Sequence, residues 1–339
     1  MTISRASLPP FVQVGSKKTF AAPYQANGIR FYGFVLPGEA DAITTSVAAA
    51  LNRPSSGATD YKPVLPFVLL SFVNIASIAS KAPPDASVGF VPEREATLWV
   101  LTMREKKELG IEVIQSIQFW VPYIFVDSPN ALLTGREVEG FPKEWAEVDV
   151  GRDAPGDMAA RAWVFTKYAP ETEASKQTVL TCVPSATSSA SVAPGPDWTT
   201  LEDAMRGIWR GAFPHGDPPA LPGISLLLQL IEMLVEKEVS LVFLKQLQDI
   251  EDSSKAAYQA IVEAPIKVTA FRSANLLPDL YDLTIADFES HPIMKDLGIR
   301  PDATKGLLGF WIDFDFLLEN GRVVWEANGQ SRAPGGVSR

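Results

Sequence analysis

Short apolar runs, β-branched and aromatic, dominate this chain of 339 residues, and its 27 prolines and 23 glycines break them up. Valine, isoleucine, threonine and the aromatics suit a pleated, half-buried surface, so such runs read as strands. Ile29–Leu36 is one, ending at the turn signal Pro37-Gly38-Glu39. Pro66–Ser80 is a long apolar stretch rich in Phe, Val and Ile. Thr97–Met103 and Ile111–Val126 follow, with Arg104-Glu105-Lys106-Lys107-Glu108 expected as a solvated connection between them. Ala159–Tyr168 and Lys176–Cys182 read as a strand pair, and Val239–Leu244, Tyr258–Val262 and Ile266–Phe271 as further strands. Leu307–Leu318 is an apolar strand with Asp313 and Asp315 alternating. Glu319-Asn320-Gly321-Arg322 then reads as a hairpin-like turn, with Val323-Val324-Trp325 as the return strand.

Helical signals are few. Ala40–Leu51 reads as a short helix, and 224–238 is the one strong amphipathic candidate. Strands and helices do not alternate regularly, which argues against a doubly wound parallel sheet. The expected class is mainly β (α+β), an antiparallel barrel- or cone-like architecture with a few peripheral helices. No repeat of fixed period occurs. A Ser/Ala/Pro-rich stretch at 184–197 reads as a surface loop. We read residues 1–339 as a single domain carrying that loop and the added helix at 224–238.

Composition narrows the function. Hydrophobic residues make up 46% of the chain, enough for a substantial core. A net charge of −10 opposes a polyanionic partner, so no nucleic acid is expected. With Cys182 alone, no intramolecular disulfide can form, and no Cys/His cluster offers a metal site. The opening Met1-Thr2-Ile3-Ser4-Arg5 lacks a signal-peptide pattern, and Ile224–Val235 is too short and too charged to span a bilayer. The expectation is a soluble, cytoplasmic protein with no membrane partner. Phosphate-cradling and dinucleotide-binding glycine loops are absent, as is a nucleophile-elbow serine. No cofactor is expected. His215 and His291 lie far apart in proline-bearing loops, where a lone histidine is usually solvated.

The chemistry concentrates in Tyr123–Lys143. A strand ends at Asp127, then Gly135-Arg136-Glu137 is followed by Gly140-Phe141-Pro142-Lys143. An amine after proline and an aromatic residue can face an apolar pocket, where desolvation disfavours its ammonium form. A free amine attacks a ketone to form an imine, and the protonated imine is an electron sink. Phe141, Trp120 and Trp145 read as core or pocket wall.

This stretch resembles the acetoacetate decarboxylase family, whose lysine follows a Gly-Arg-Glu triplet and a proline. Phe31-Tyr32-Gly33-Phe34-Val35 with Asp41-Ala42-Ile43 looks like the family's N-terminal strand and helix, and Gly89-Phe90-Val91-Pro92-Glu93 like the segment bearing its active-site glutamate. The similarity spans roughly residues 24 to 165 and more weakly to about 330. It implies Lys143 as Schiff-base lysine and Glu93 as proton-transfer group, with Arg136, Arg30 and Phe141 toward the substrate. Arg136 and Glu137 read equally as a structural ion pair shaping the turn. The family's second lysine falls on Glu144, a second acidic position on Val68, and its substrate-side arginine near Ile29, one place before Arg30. Adjacent side chains of a strand point to opposite faces, so Glu144 is expected to point away from the amine.

The resemblance implies a homo-oligomeric carbon–carbon lyase that binds a small keto acid through Lys143 and decarboxylates a β-keto acid. Aldol, retro-aldol or dehydration chemistry through the same imine is the alternative, as is a non-catalytic binder of small molecules on the same scaffold.

Overall fold

The structure, a computed structural model, describes residues 9–108, 111–152, 154–186, 194–212 and 238–327. Its strands are β1 (Tyr24–Pro37), β2 (Asp60–Pro63), β3 (Phe67–Ser80), β4 (Val91–Glu108), β5 (Ile111–Val126), β6 (Lys143–Asp149), β7 (Met158–Val164), β8 (Ser175–Pro184), β9 (Glu238–Gln248), β10 (Ala256–Ile285), β11 (Leu307–Leu318) and β12 (Arg322–Glu326). The α-helices are α1 (Ala40–Val47), α2 (Pro129–Thr134), α3 (Leu201–Ala212) and α4 (Ile293–Leu297). α1 runs on into a π-helical turn at Ala48–Asn52, and α2 into another at Gly135–Glu139. Among the described residues, no helix is long and apolar enough to cross a membrane. The expected helix at 224–238 lies outside the described residues except for Glu238, which heads β9. His215 and half of the loop at 184–197, residues 187–193, lie outside them too.

All the strands join one mixed sheet in the order β2-β4-β3-β1-β11-β10-β8-β7-β6-β5-β9, with β12 on β10 and further pairings β4–β5 and β9–β10. The molecule is therefore mostly β with few helices, as the sequence patterning leads one to expect. It is not a clean antiparallel barrel, because β5 runs parallel to both β6 and β9. Parallel neighbours need a long crossover. Here α2 and its π-helical turn bring the chain back so that Ile124–Val126 lie beside Lys143–Trp145 in the same direction.

Three local readings are corrected. Arg104–Glu108 is no loose connection: β4 runs through it, and Glu108 pairs with Ile111. The charges are tolerated because Lys106 and Lys107 are exposed, and Arg104 ion-pairs with Glu263 at 3.1 Å. Tyr258–Val262 and Ile266–Phe271 belong to the single strand β10, which continues through Pro265. That proline has no N–H to give, but its carbonyl accepts from the Glu319 N–H at 2.9 Å. Finally, Glu319–Gly321 does not reverse the chain. Leu318 pairs with Ile266 of β10 and Arg322 with Glu263, so β12 extends the line of β11 along the same partner.

Alternation along the strands sorts side chains onto two buried faces. Tyr32, Phe34 and Leu36 of β1 join Val68, Leu70 and Phe72 of β3 in the larger core. Ile29 and Phe31 point the other way, toward Val73, Ile75 and Phe314. The second face continues through Ile124, Val126, Phe141 and Phe243. Burial on both faces explains why these strands read as near-continuous apolar runs.

Candidate active site

Lys143 is the first residue of β6, and two glycines place it. The Gly140 and Phe141 N–H groups both donate to the Gly135 carbonyl, at 2.8 and 2.9 Å. Gly140 closes this turn in the left-handed region, φ +92°. A Cβ on Gly135 would lie 2.7 Å from Lys143 Cδ, so the lysine stem runs over a position that has no room for a side chain. Arg136 is exposed, and its Nη1 donates to the Lys143 backbone carbonyl at 2.9 Å. It ties down the head of β6 and does not join the amine. Glu137 is exposed beside it.

Lys143 is 8% exposed and Glu93 2%, and Lys143 Nζ stands 2.6 Å from Glu93 Oε1. The Phe141 ring is 5.8 Å from Nζ and packs on Phe243 at 4.3 Å. Glu93 lies in strand β4, so Glu93, Glu95, Thr97 and Trp99 alternate onto one face. Register extends that face: Glu93 stands opposite Ile75, Glu95 opposite Val73 and Thr97 opposite both Ser71 and Ile124. Ile124 in turn pairs with Lys143. Burial pushes the Glu95 carboxyl up to about 7; the charge of Glu93 adds to this and Lys143 opposes it. The Thr97 hydroxyl is buried and has no hydrogen-bond partner among the described residues. Half-buried aromatic rings continue the surface, with Phe31 at 6.4 Å from Trp99 and 6.5 Å from Phe314, and Trp99 at 5.9 Å from Phe119.

Arg30 is not part of this group. Register files Arg30 with Asn74 and Arg94, one position off Glu93 and therefore on the opposite face. It ion-pairs with Asp313 (Nη2–Oδ2 2.9 Å) and lies 4.3 Å over the Trp311 ring. The same parity removes Val68, which is fully buried in the larger core; Ser71, Val73 and Ile75 are the β3 residues on the amine's face. Trp120 also packs in the larger core. Glu144 points away from Lys143, and its Oε2 is 2.8 Å from His291 Nε2. His291 is buried rather than solvated: Ser290 Oγ holds Nδ1 at 2.8 Å and Phe125 lies 5.9 Å from the ring. Glu95 is the residue that sequence reasoning passed over. Its signal was the Glu-x-Glu spacing, which shares a face only if the segment is a strand.

Among the described residues, no group of three or more His, Cys, Asp or Glu could hold a metal ion. No protein-family model and no curated protein matches the sequence. Solved structures do match. Acetoacetate decarboxylase from Legionella pneumophila subsp. pneumophila str. Philadelphia 1 aligns at TM-score 0.55 and 14% identity, over 94% of this chain and 93% of that one. The chain has the acetoacetate decarboxylase fold. The enduracididine biosynthesis enzyme MppR, complexed with pyruvate, shares this fold at TM-score 0.52 and 13% identity, over 91% of this chain and 92% of that one. So does an acetoacetate decarboxylase-like enzyme from Sphingomonas wittichii RW1, at TM-score 0.52 and 10% identity, over 92% of this chain and 95% of that one. At these identities the likeness is one of fold.

Proposed function

We propose that this chain is an imine-forming enzyme in which Lys143 is the nucleophile and Glu93 its proton partner. One observation carries the reading: a buried amine and a buried carboxylate 2.6 Å apart, beside an apolar wall. Glu93 takes a proton from Lys143, and the amine nitrogen bonds to a substrate carbonyl carbon. Glu93 returns that proton to the carbonyl oxygen and then relays a second one from the nitrogen, so the oxygen leaves as water and the protonated imine remains. The protonated imine then draws electrons from a bond beta to nitrogen.

Glu95 favours reactions that move further protons. A carboxyl titrating near neutrality can both give and take one. Aldol, retro-aldol or dehydration chemistry therefore fits better than simple loss of carbon dioxide. Decarboxylation of a β-keto acid is supported by the fold likeness and by the lysine motif, but Arg30 and Arg136, the cations expected to hold a carboxylate, lie elsewhere. A non-catalytic binder would use the same face without forming a covalent bond.

Borohydride reduction in the presence of carbonyl compounds, followed by peptide mass analysis, tests the reading. The expected result is a mass increment on the Lys143 peptide that is lost in Lys143→Ala. Absence of any adduct at Lys143, across keto acids, ketones and aldehydes, would sink it.

A further inference from the structure

We infer that the compound bound at Lys143 is a neutral ketone or aldehyde with an apolar body of aromatic size, rather than a keto acid. This rests on the imine reading. The amine's face of β4 carries two carboxyl groups, Glu93 and Glu95, against the one amine that reacts. A substrate carboxylate would add a third acidic group where burial and the Glu93 charge already push the Glu95 carboxyl toward its protonated form. Neither candidate clamp reaches it: Arg30 is paired with Asp313 on the opposite face, and Arg136 donates to a backbone carbonyl. Lys245 lies two residues after Phe243 on β9, where its ammonium donates to the Val138 carbonyl at 2.6 Å and is balanced by the charge of Glu139.

The same face offers apolar surface in quantity. Phe31, Trp99, Phe119 and Phe314 are only half-buried although they touch one another, so their open sides are available to a ligand. Thr97, buried and without a partner among the described residues, lies in register between Lys143's neighbour Ile124 and Ser71. It can satisfy one neutral hydrogen-bonding group close to the carbonyl. In the covalent step the Lys143 nitrogen bonds to the carbonyl carbon, the carbonyl oxygen leaves as water, and no oxidant or reductant is needed.

Two methyl ketones that differ only at the far end of the same two-carbon arm test the inference. 4-Phenyl-2-butanone carries a phenyl group there and levulinate a carboxylate. Each is incubated over a concentration series with the full chain, reduced with borohydride, and read as adduct on the Lys143 peptide. The phenyl ketone should label Lys143 at concentrations at least about tenfold lower. Glu95→Gln should narrow that gap by raising labelling with levulinate. Labelling by levulinate at equal or lower concentration overturns the substrate class and leaves the imine reading standing. Failure of both ketones and of acetaldehyde to label Lys143 overturns both.

Discussion

At the scale of single residues, the pair Lys143–Glu93 dictates most of what mutation should do. Each partner is buried, so removing one leaves the other charge uncompensated. Lys143→Met alone should cost about 3–5 kcal/mol in a denaturant titration. The double change Lys143→Met with Glu93→Gln should recover most of that loss. Glu93→Gln alone keeps the shape and removes the proton acceptor, so turnover should fall about 10²–10⁴-fold in an assay on a compound that labels Lys143. Glu139 offers a test by pH. Burial pushes its carboxyl up from 4.5 to about 7, against the opposing effects of Lys245 and the Gly321 N–H. The folded state then holds a proton that the unfolded state has released, so stability falls as pH rises from about 4.5 to about 7. Glu139→Gln removes this dependence, and its gain over the native chain at pH about 8 should be about 1–3 kcal/mol by thermal unfolding, vanishing near pH 4. Glu95 contributes a dependence of the same sign, which Glu139→Gln leaves in place.

Among the elements, the segment from α2 to β6 decides where the amine stands. Gly135→Ala puts a Cβ 2.7 Å from Lys143 Cδ, the middle of a flexible side chain. We expect a lower rate of borohydride trapping at Lys143 and a cost of about 1–3 kcal/mol in stability. Gly140→Ala differs: φ is +92° and the new Cβ would meet Lys245 Cβ at 2.4 Å. It should cost about 2 kcal/mol or more, since the conflict involves both backbone and neighbour. Of this segment the sequence showed the Gly-Phe-Pro-Lys motif but not α2 or its π-helical turn, which are too short to show a helical period. β5 and β11 were legible, since their bounds, Ile111–Val126 and Leu307–Leu318, follow from runs dominated by β-branched and aromatic residues. β10 and the outer end of β4 were not legible. Pro265 and the charged run Arg104–Glu108 look like breaks, and only the strands that pair with them keep the backbone extended.

For the whole molecule, the sheet works as a partition. Glu144 lies next to Lys143 in sequence yet holds His291 on the other side. Glu144→Ala should therefore cost about 1–3 kcal/mol by leaving a buried imidazole nitrogen unpartnered, while the concentration dependence of labelling at Lys143 stays as in the native chain. A change in labelling would mean that the two faces are coupled. Parity across the sheet also separates Arg30 from Ile29 and Val68 from Leu69, although each pair is adjacent in sequence.

By itself, the sequence determined the strand-rich class, the extent of several strands and the expectation that Glu144 points away from Lys143. These depend on local backbone preferences and on side-chain period, which neighbouring residues suffice to set. Only the tertiary structure decided which face each strand shows to Lys143, that Glu93 stands 2.6 Å from an amine fifty residues away, and that Glu95 joins them. It also decided that β12 extends β11 where a hairpin was expected, and that β6 enters parallel to β5. Those outcomes depend on register between distant strands, and a shift of one residue there exchanges the two faces.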